Sequence, residues 1–298
     1  MITRRTVLQA LALLPSGIRN QESEDLFLGA LPPLKKSFGQ KVPLRQEGIG
    51  EGQKAHLWKG LNLQCLQQNE GDCVGHAYGT AVDVLTRSKT LASIEAIYGG
   101  SRVQIGNISP YIDGSRGIWA VKFLNQYGVL HRLRYKDIDL TGYSPERSDT
   151  YGRLGIPDAL IPIAKRHPCA SFSLIKTWSQ VRDSLYLGHP VVLCSSYAFE
   201  RERDSHGFAK QLLQSRRRWR NVRPRWFHAM PIIGYDDTTS RPGALILNSW
   251  HTDWITGPKR FDQPDGSFWA TPEEIERMLN DWDDCFSISN YVGKHRLY

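Results

Sequence analysis

No apolar run in this sequence approaches the ~18 residues of a membrane-spanning helix, so a chain that crosses a bilayer by helices is excluded at the outset. Cys and His never fall at paired zinc spacing, and no phosphate-cradling glycine loop is present, so neither a metal nor an organic cofactor is expected. There is no internal repeat and no long low-complexity linker, which excludes a solenoid. Cysteine is scarce and odd in number, at five, so complete pairing within the chain is impossible. If one cysteine is a working thiol, Cys65, Cys169, Cys194 and Cys285 can form two bridges in three connectivities, or none in a reducing compartment.

What is present is globular: 298 residues, 40% hydrophobic and 23% charged, long enough for two domains or one two-lobed fold with a sizeable core. The net charge of +8 is concentrated, because residues 201 to 225 hold nine Lys or Arg against two acids. Phe208, Leu212, Leu213 and Trp219 suggest a partly helical insertion there, with Arg216, Arg217 and Arg218 on an exposed edge. That edge is a candidate recruiter of an anionic substrate or partner, against the plainer reading of a solvated basic loop. At the other end, Arg4-Arg5 followed by Val7 to Leu14 resembles a twin-arginine export signal, interrupted by Gln9 and without a clear cleavage site after Ser16. Residues 1–20 are therefore read as an export signal or an N-terminal helix, and the protein as exported or else cytoplasmic or virion-associated.

Hydrophobic period changes along the chain. Val74, Ala77, Ala81, Val82 and Leu85 predict a helix over 73–88, and Ile118, Val121 and Leu124 predict another over 115–127 with Gly128 as its stop. A third spans 178–187 before Gly188. Short β-type runs follow at Val191 to Leu193, Met230 to Tyr235, Ala244 to Leu247, Phe268-Trp269 and Phe286 to Ile288. Thr271-Pro272-Glu273-Glu274 carries a capping box, which makes Glu274 structural.

Reactive side chains gather where these elements meet. Gly71-Asp72-Cys73 places a thiol at a helix start, where unpaired N–H groups and the helix dipole favour thiolate. A lone Cys in a helix is more often a small hydrophobe. His228 starts one β-run and Asn248-Ser249-Trp250 ends another, so adjacent strands can bring them together.

Gln67, Cys73, His228 and Asn248, in that order and with Trp250 two residues after Asn248, resemble the papain-like cysteine peptidases. Gln67 lies six residues before Cys73 and Gly71 two before, Asp113 to Gly117 looks like the glycine-rich turn of that family, and Gly234-Tyr235 and Trp254 fit its second lobe. The resemblance implies a two-lobed α+β fold with a helical lobe over 60–175, a β-barrel-like antiparallel lobe over 176–298, and the active site in the cleft between them. Residues 21–59 form an N-terminal extension, too short with what precedes it for the family's large inhibitory pro-segment. It implies Cys73 as nucleophile, His228 as acid and base, Asn248 as orienter, Gln67 as oxyanion donor and Trp250 as shield, with protein or peptide substrates. It also implies a Cys73 thiolate at neutral pH, as in papain, where the pKa is ~3 to 4. The departures are Glu70 and Val74, where relatives carry Cys and Trp, and His251, where they carry Gly. Two other readings stay open: a different acyl-transfer enzyme such as a cell-wall peptide amidase, and a non-catalytic binding or virion-type structural protein.

Overall fold

The computed structural model describes residues 29–32, 48–213 and 225–293. Arg4 and Arg5, and Arg216, Arg217 and Arg218, lie outside the described residues. The chain order opens with β1 (Lys54–His56), helices α1 (Cys73–Thr86) and α2 (Ile94–Gly99), a π-helical turn over Gly100–Ile105, and α3 (Gly117–Gln126). A small hairpin of β2 (Arg134–Tyr135) and β3 (Ile138–Asp139) leads to α4 (Pro145–Leu154), the one-turn α5 (Ile161–Ala164) and β4 (Cys169–Leu174). Helix α6 (Trp178–Tyr186) precedes strands β5 (Val191–Arg203), β6 (Ala209–Leu212), β7 (Arg225–Asp236), β8 (Gly243–Leu247) and β9 (Ser267–Ala270). Helix α7 (Pro272–Trp282) and β10 (Phe286–Tyr291) complete it.

The helices form where apolar spacing placed them, and their ends have local causes. Val74, Ala77, Tyr78, Ala81 and Val82 are all buried along one face of α1, which closes at Arg87 in the left-handed region. Helix α3 is capped from far along the chain, since the Asp284 carboxylate accepts the Gly117 and Ile118 N–H groups at 2.8 Å each. Its exit uses Gly128 at φ +88, where a Cβ would strike the Ala164 carbonyl. The capping box on α7 is present, with Thr271 accepting from Glu274 N and Glu274 returning the bond. Glu274 also accepts the Gln211 N–H at 2.9 Å, so it joins α7 to the sheet.

The strands make an open antiparallel sheet in the order β4-β10-β5-β7-β8-β9, with β1 added to β7 and β6 to β5. The fold is α+β, but no closed barrel forms among the described residues. Period-two alternation splits the core across this sheet. From β5, Val191 and Leu193 enter one cluster with Trp178, Val181, Ile275 and Met278, beneath α6 and α7. Val192 and Cys194 enter another with Val74, Ala77, Ile118 and Val121, beneath α1 and α3. Covered on both faces, the start of β5 therefore reads as an unbroken apolar run from Val191 to Cys194.

The start of the basic segment differs from the helical expectation. Residues through Arg203 continue β5, and Ala209–Leu212 return as β6, pairing Phe199 with Gln211 and Arg203 with Ala209. The turn is built by Asp204 Oδ1, which accepts from His206 N and Phe208 N, and by Gly207 at φ +81. Burial alternates along Ala209, Lys210 and Gln211, which is a strand's period rather than a helix's. Trp219 lies outside the described residues. None of the described helices is long and apolar enough to cross a membrane.

Candidate active site

Cys73 is the first residue of α1 and is fully buried. Asp72, the residue before it, does not cap the helix with its side chain. Its carboxyl instead accepts from Tyr143 OH at 2.9 Å and Ser148 Oγ at 2.6 Å, with His76 Nε2 3.4 Å away. Gly71 makes the entry possible, because a Cβ there would meet the Asp113 carboxyl at 2.8 Å.

The packing of α1 on β7 brings the histidine's strand to the thiol, close enough for the Ala229 backbone to favour the thiolate against burial. A bulge aims the histidine itself. Ser195 pairs with His228 but Tyr197 pairs with Arg225, so Trp226 and Phe227 oppose Ser196 alone. Phe227 takes φ +24 at this bulge and stacks on Trp282. The imidazole then meets Asn248, with His228 Nε2 2.7 Å from Asn248 Oδ1. Ser249 N–H also donates to Asn248 Oδ1 at 2.7 Å, which fixes that atom as the acceptor and hence the proton on His228 Nε2. His228 Nδ1 is left without a hydrogen-bond partner, as a bare acceptor. Trp250 lies flat on the imidazole, with centroids 4.5 Å apart and an interplanar angle of 23°. Trp226 and Trp254 brace Trp250 edge-on.

The two neighbouring glutamines have opposite environments. Gln68 is buried, receives Ser249 Oγ at 2.6 Å and donates its backbone N–H to Ser249 O at 2.8 Å, so it ties the chain before α1 to the Asn248 loop. Gln67 bridges to Trp250 through its backbone, while its exposed side-chain amide donates to nothing among the described residues. Cys65 adds a second tie, its thiol donating to Asn248 O at 3.1 Å and His251 O at 3.0 Å. His251 adopts φ +70, the left-handed conformation a glycine takes at little cost, so the turn survives the substitution. All five cysteines are free and buried.

Sequence reasoning missed one feature entirely: residues 29–32 cross the site. Ala30 N–H donates to Phe227 O at 2.9 Å, Leu31 N–H to Ser115 O at 2.7 Å, and Ser115 N–H to Gly29 O at 2.7 Å. Arg116 Nε donates to Pro32 O at 2.7 Å. The strap therefore links the helical part to the residue immediately before His228, and brings the Gly29 backbone near enough to the Cys73 thiol to favour its thiolate. The buried setting of the thiol runs against the thiolate expected from the helix start. Burial pushes the Cys73 thiol up to about 12 despite the Ala229 and Gly29 N–H groups, and Asp72 adds to the rise. Burial also lowers His228 to about 4, with the Asn248 hydrogen bond opposing it. With the strap in place, the pair rests as a thiol and a neutral imidazole at neutral pH.

No protein-family model matches the chain, and no curated protein matches it. Solved structures do. Xylellain, a cysteine protease from Xylella fastidiosa, superposes with a TM-score of 0.61 at 18% identity, over 89% of this chain and 96% of that one. Procathepsin B S9 from Trypanosoma congolense gives 0.57 at 12% identity, over 98% of this chain and 99% of that one. The ragweed pollen cysteine protease Amb a 11, in its proform, gives 0.51 at 14% identity, over 88% of this chain and 70% of that one. The fold is papain-like.

Proposed function

We propose that the protein is a cysteine peptidase in which Cys73, His228 and Asn248 hydrolyse peptide bonds in protein or peptide substrates. The observation that carries this reading is the His228 to Asn248 hydrogen bond of 2.7 Å, which leaves Nδ1 bare on the strand that packs against the Cys73 helix start. In the reaction, His228 Nδ1 takes the thiol proton and the thiolate attacks the scissile carbonyl carbon. The oxyanion forms against the Cys73 backbone N–H and the uncommitted Gln67 amide. His228 returns its proton to the leaving amine, then activates water to hydrolyse the thioester. Asn248 holds the ring in one tautomer throughout, and Trp250 keeps water from that contact. No step calls on a group from outside the chain other than substrate and water.

The test is hydrolysis of a peptide library together with alkylation of Cys73 by a thiol-directed reagent. Cys73→Ala is expected to abolish hydrolysis with the fold retained. Gln67→Ala should lower turnover roughly 10²- to 10³-fold, the usual loss for one oxyanion donor. Gln68→Ala should act mainly on stability, through its bonds to Ser249. Wild-type turnover in the Cys73 variant would overturn the assignment, and a larger turnover defect at Gln68 than at Gln67 would move the oxyanion donor by one residue.

A further inference from the structure

We infer that Arg116 selects peptides carrying an Asp or Glu side chain a few residues from the scissile bond. This rests on the peptidase reading and names its substrate class.

The strap shows how an extended chain can lie across the site. Its contacts with Ser115 and Phe227 are main-chain to main-chain, at 2.7 to 2.9 Å, so any extended peptide can reproduce them. Sequence preference must then come from side chains beside that track. Arg116, the residue after Ser115, meets the strap three positions beyond Gly29, where its Nε–H donates to Pro32 O.

The state of this guanidinium is unusual. Arg116 is only 8% exposed, and its face lies on the Trp119 ring at 4.2 Å. Its two terminal nitrogens donate to nothing, and no carboxylate lies at ion-pair distance, among the described residues. The charged group that acts on it is Asp284, whose two oxygens already accept the Gly117 and Ile118 N–H groups. The other buried arginines donate through their whole guanidinium: Arg102 to the Gly152, Gly114 and Ile112 carbonyls, and Arg203 to the Gly257, Pro258 and Ser267 carbonyls. This guanidinium, partly shielded and without a counter-ion among the described residues, is placed to receive a carboxylate in a charge-assisted pair. The planar fork, fixed in orientation by Trp119, suits two parallel bonds to a carboxylate better than one bond to a neutral carbonyl.

The experiment digests a library of N-acetylated, C-amidated peptides with the full chain and maps the cleavage sites by mass spectrometry. Blocked termini ensure that any acidic preference comes from side chains. Asp or Glu should be enriched at one position two to four residues from the cut. Glu over Gln there should favour kcat/KM by roughly ten- to a hundredfold, as a charge-assisted pair allows. Arg116→Gln should bring that Glu:Gln ratio close to one, and Arg116→Glu should invert the preference toward Lys or Arg at the same position. A purely structural role would lower cleavage of all peptides and leave the ratio unchanged. Cleavage without acidic enrichment, or a ratio that survives Arg116→Gln, overturns the inference while leaving the peptidase reading intact. If no peptide is cut and Cys73 is not alkylated, both fall.

Discussion

Asp72 shows how one residue beside the proposed nucleophile can shape both stability and chemistry. It is completely buried, and desolvation raises its carboxyl to about 7, although hydrogen bonds from Ser148 and Tyr143 pull the other way. The native protein thus holds this proton more tightly than the unfolded chain, whose carboxyl titrates near 3.8. Between those values the native state binds the extra proton, so the contribution of Asp72 to stability falls as pH rises through that window and is lowest above it. Asp72→Asn keeps the shape and removes the titration. Chemical denaturation at pH 5 and pH 8 should show the variant gaining on wild type as pH rises. A wild-type-minus-variant stability that stays constant or grows from pH 5 to pH 8 would mean that Asp72 is ionised in the native state across the range. The same substitution removes a negative charge that raises the Cys73 pKa.

Among the elements, the strap over residues 29–32 governs access to the thiol. Four hydrogen bonds hold it, counting the three backbone bonds and that from Arg116. At about 1 kcal/mol net for each, they resist displacement without making it prohibitive. Its closest approach depends on a single missing atom, since a Cβ on Gly29 would lie 1.8 Å from the Gly71 carbonyl oxygen. Gly29→Val should therefore lift the strap. Removing that cover lessens the desolvation that holds Cys73 near 12 and His228 near 4, so the thiol becomes more acidic and the imidazole more basic. The expected result is at least a tenfold faster alkylation of Cys73 at pH 7, with higher kcat/KM, the gain amounting to about 1.4 kcal/mol. Unchanged or slower alkylation would show that the strap does not limit access.

For the whole molecule, one sheet covered on both faces supplies the stability, and covalent cross-links supply none. The thiols of Cys169, Cys194 and Cys285 lie in the cores above and below that sheet. Burial raises Cys169 and Cys285 to about 12 and pushes Cys194 well above the ordinary thiol range. Thermal unfolding should accordingly be the same with and without reductant. Titration with a chromogenic disulfide should find one slowly reacting thiol, Cys73, in the native full chain and five after denaturation. A drop in Tm on reduction, or fewer than five thiols in denaturant, would reveal a bridge and contradict this arrangement.

The amino-acid sequence by itself determined the helices that begin at Cys73 and Trp178, the capping box at Thr271, and the paired strands that carry His228 and Asn248. Each follows from period, caps and turn residues acting over a few positions. The order of Gln67, Cys73, His228 and Asn248 was legible through its resemblance to the papain-like cysteine peptidases, with Cys73 at a helix start and His228 and Asn248 beside β-type runs. Tertiary structure alone decided what depends on distant partners. Asp284 caps α3 across more than 160 residues. The bulge at Phe227 exists only against Ser196 on β5, and β6 is a strand because β5 offers an edge. Nothing local marks Gly29 as the residue that lies against Cys73, since its role is the absence of a side chain at a contact made by folding. The protonation of the thiol was likewise set by the tertiary fold, because desolvation depends on everything packed around a group, whereas the helix dipole that favours thiolate can be read from the first turn alone.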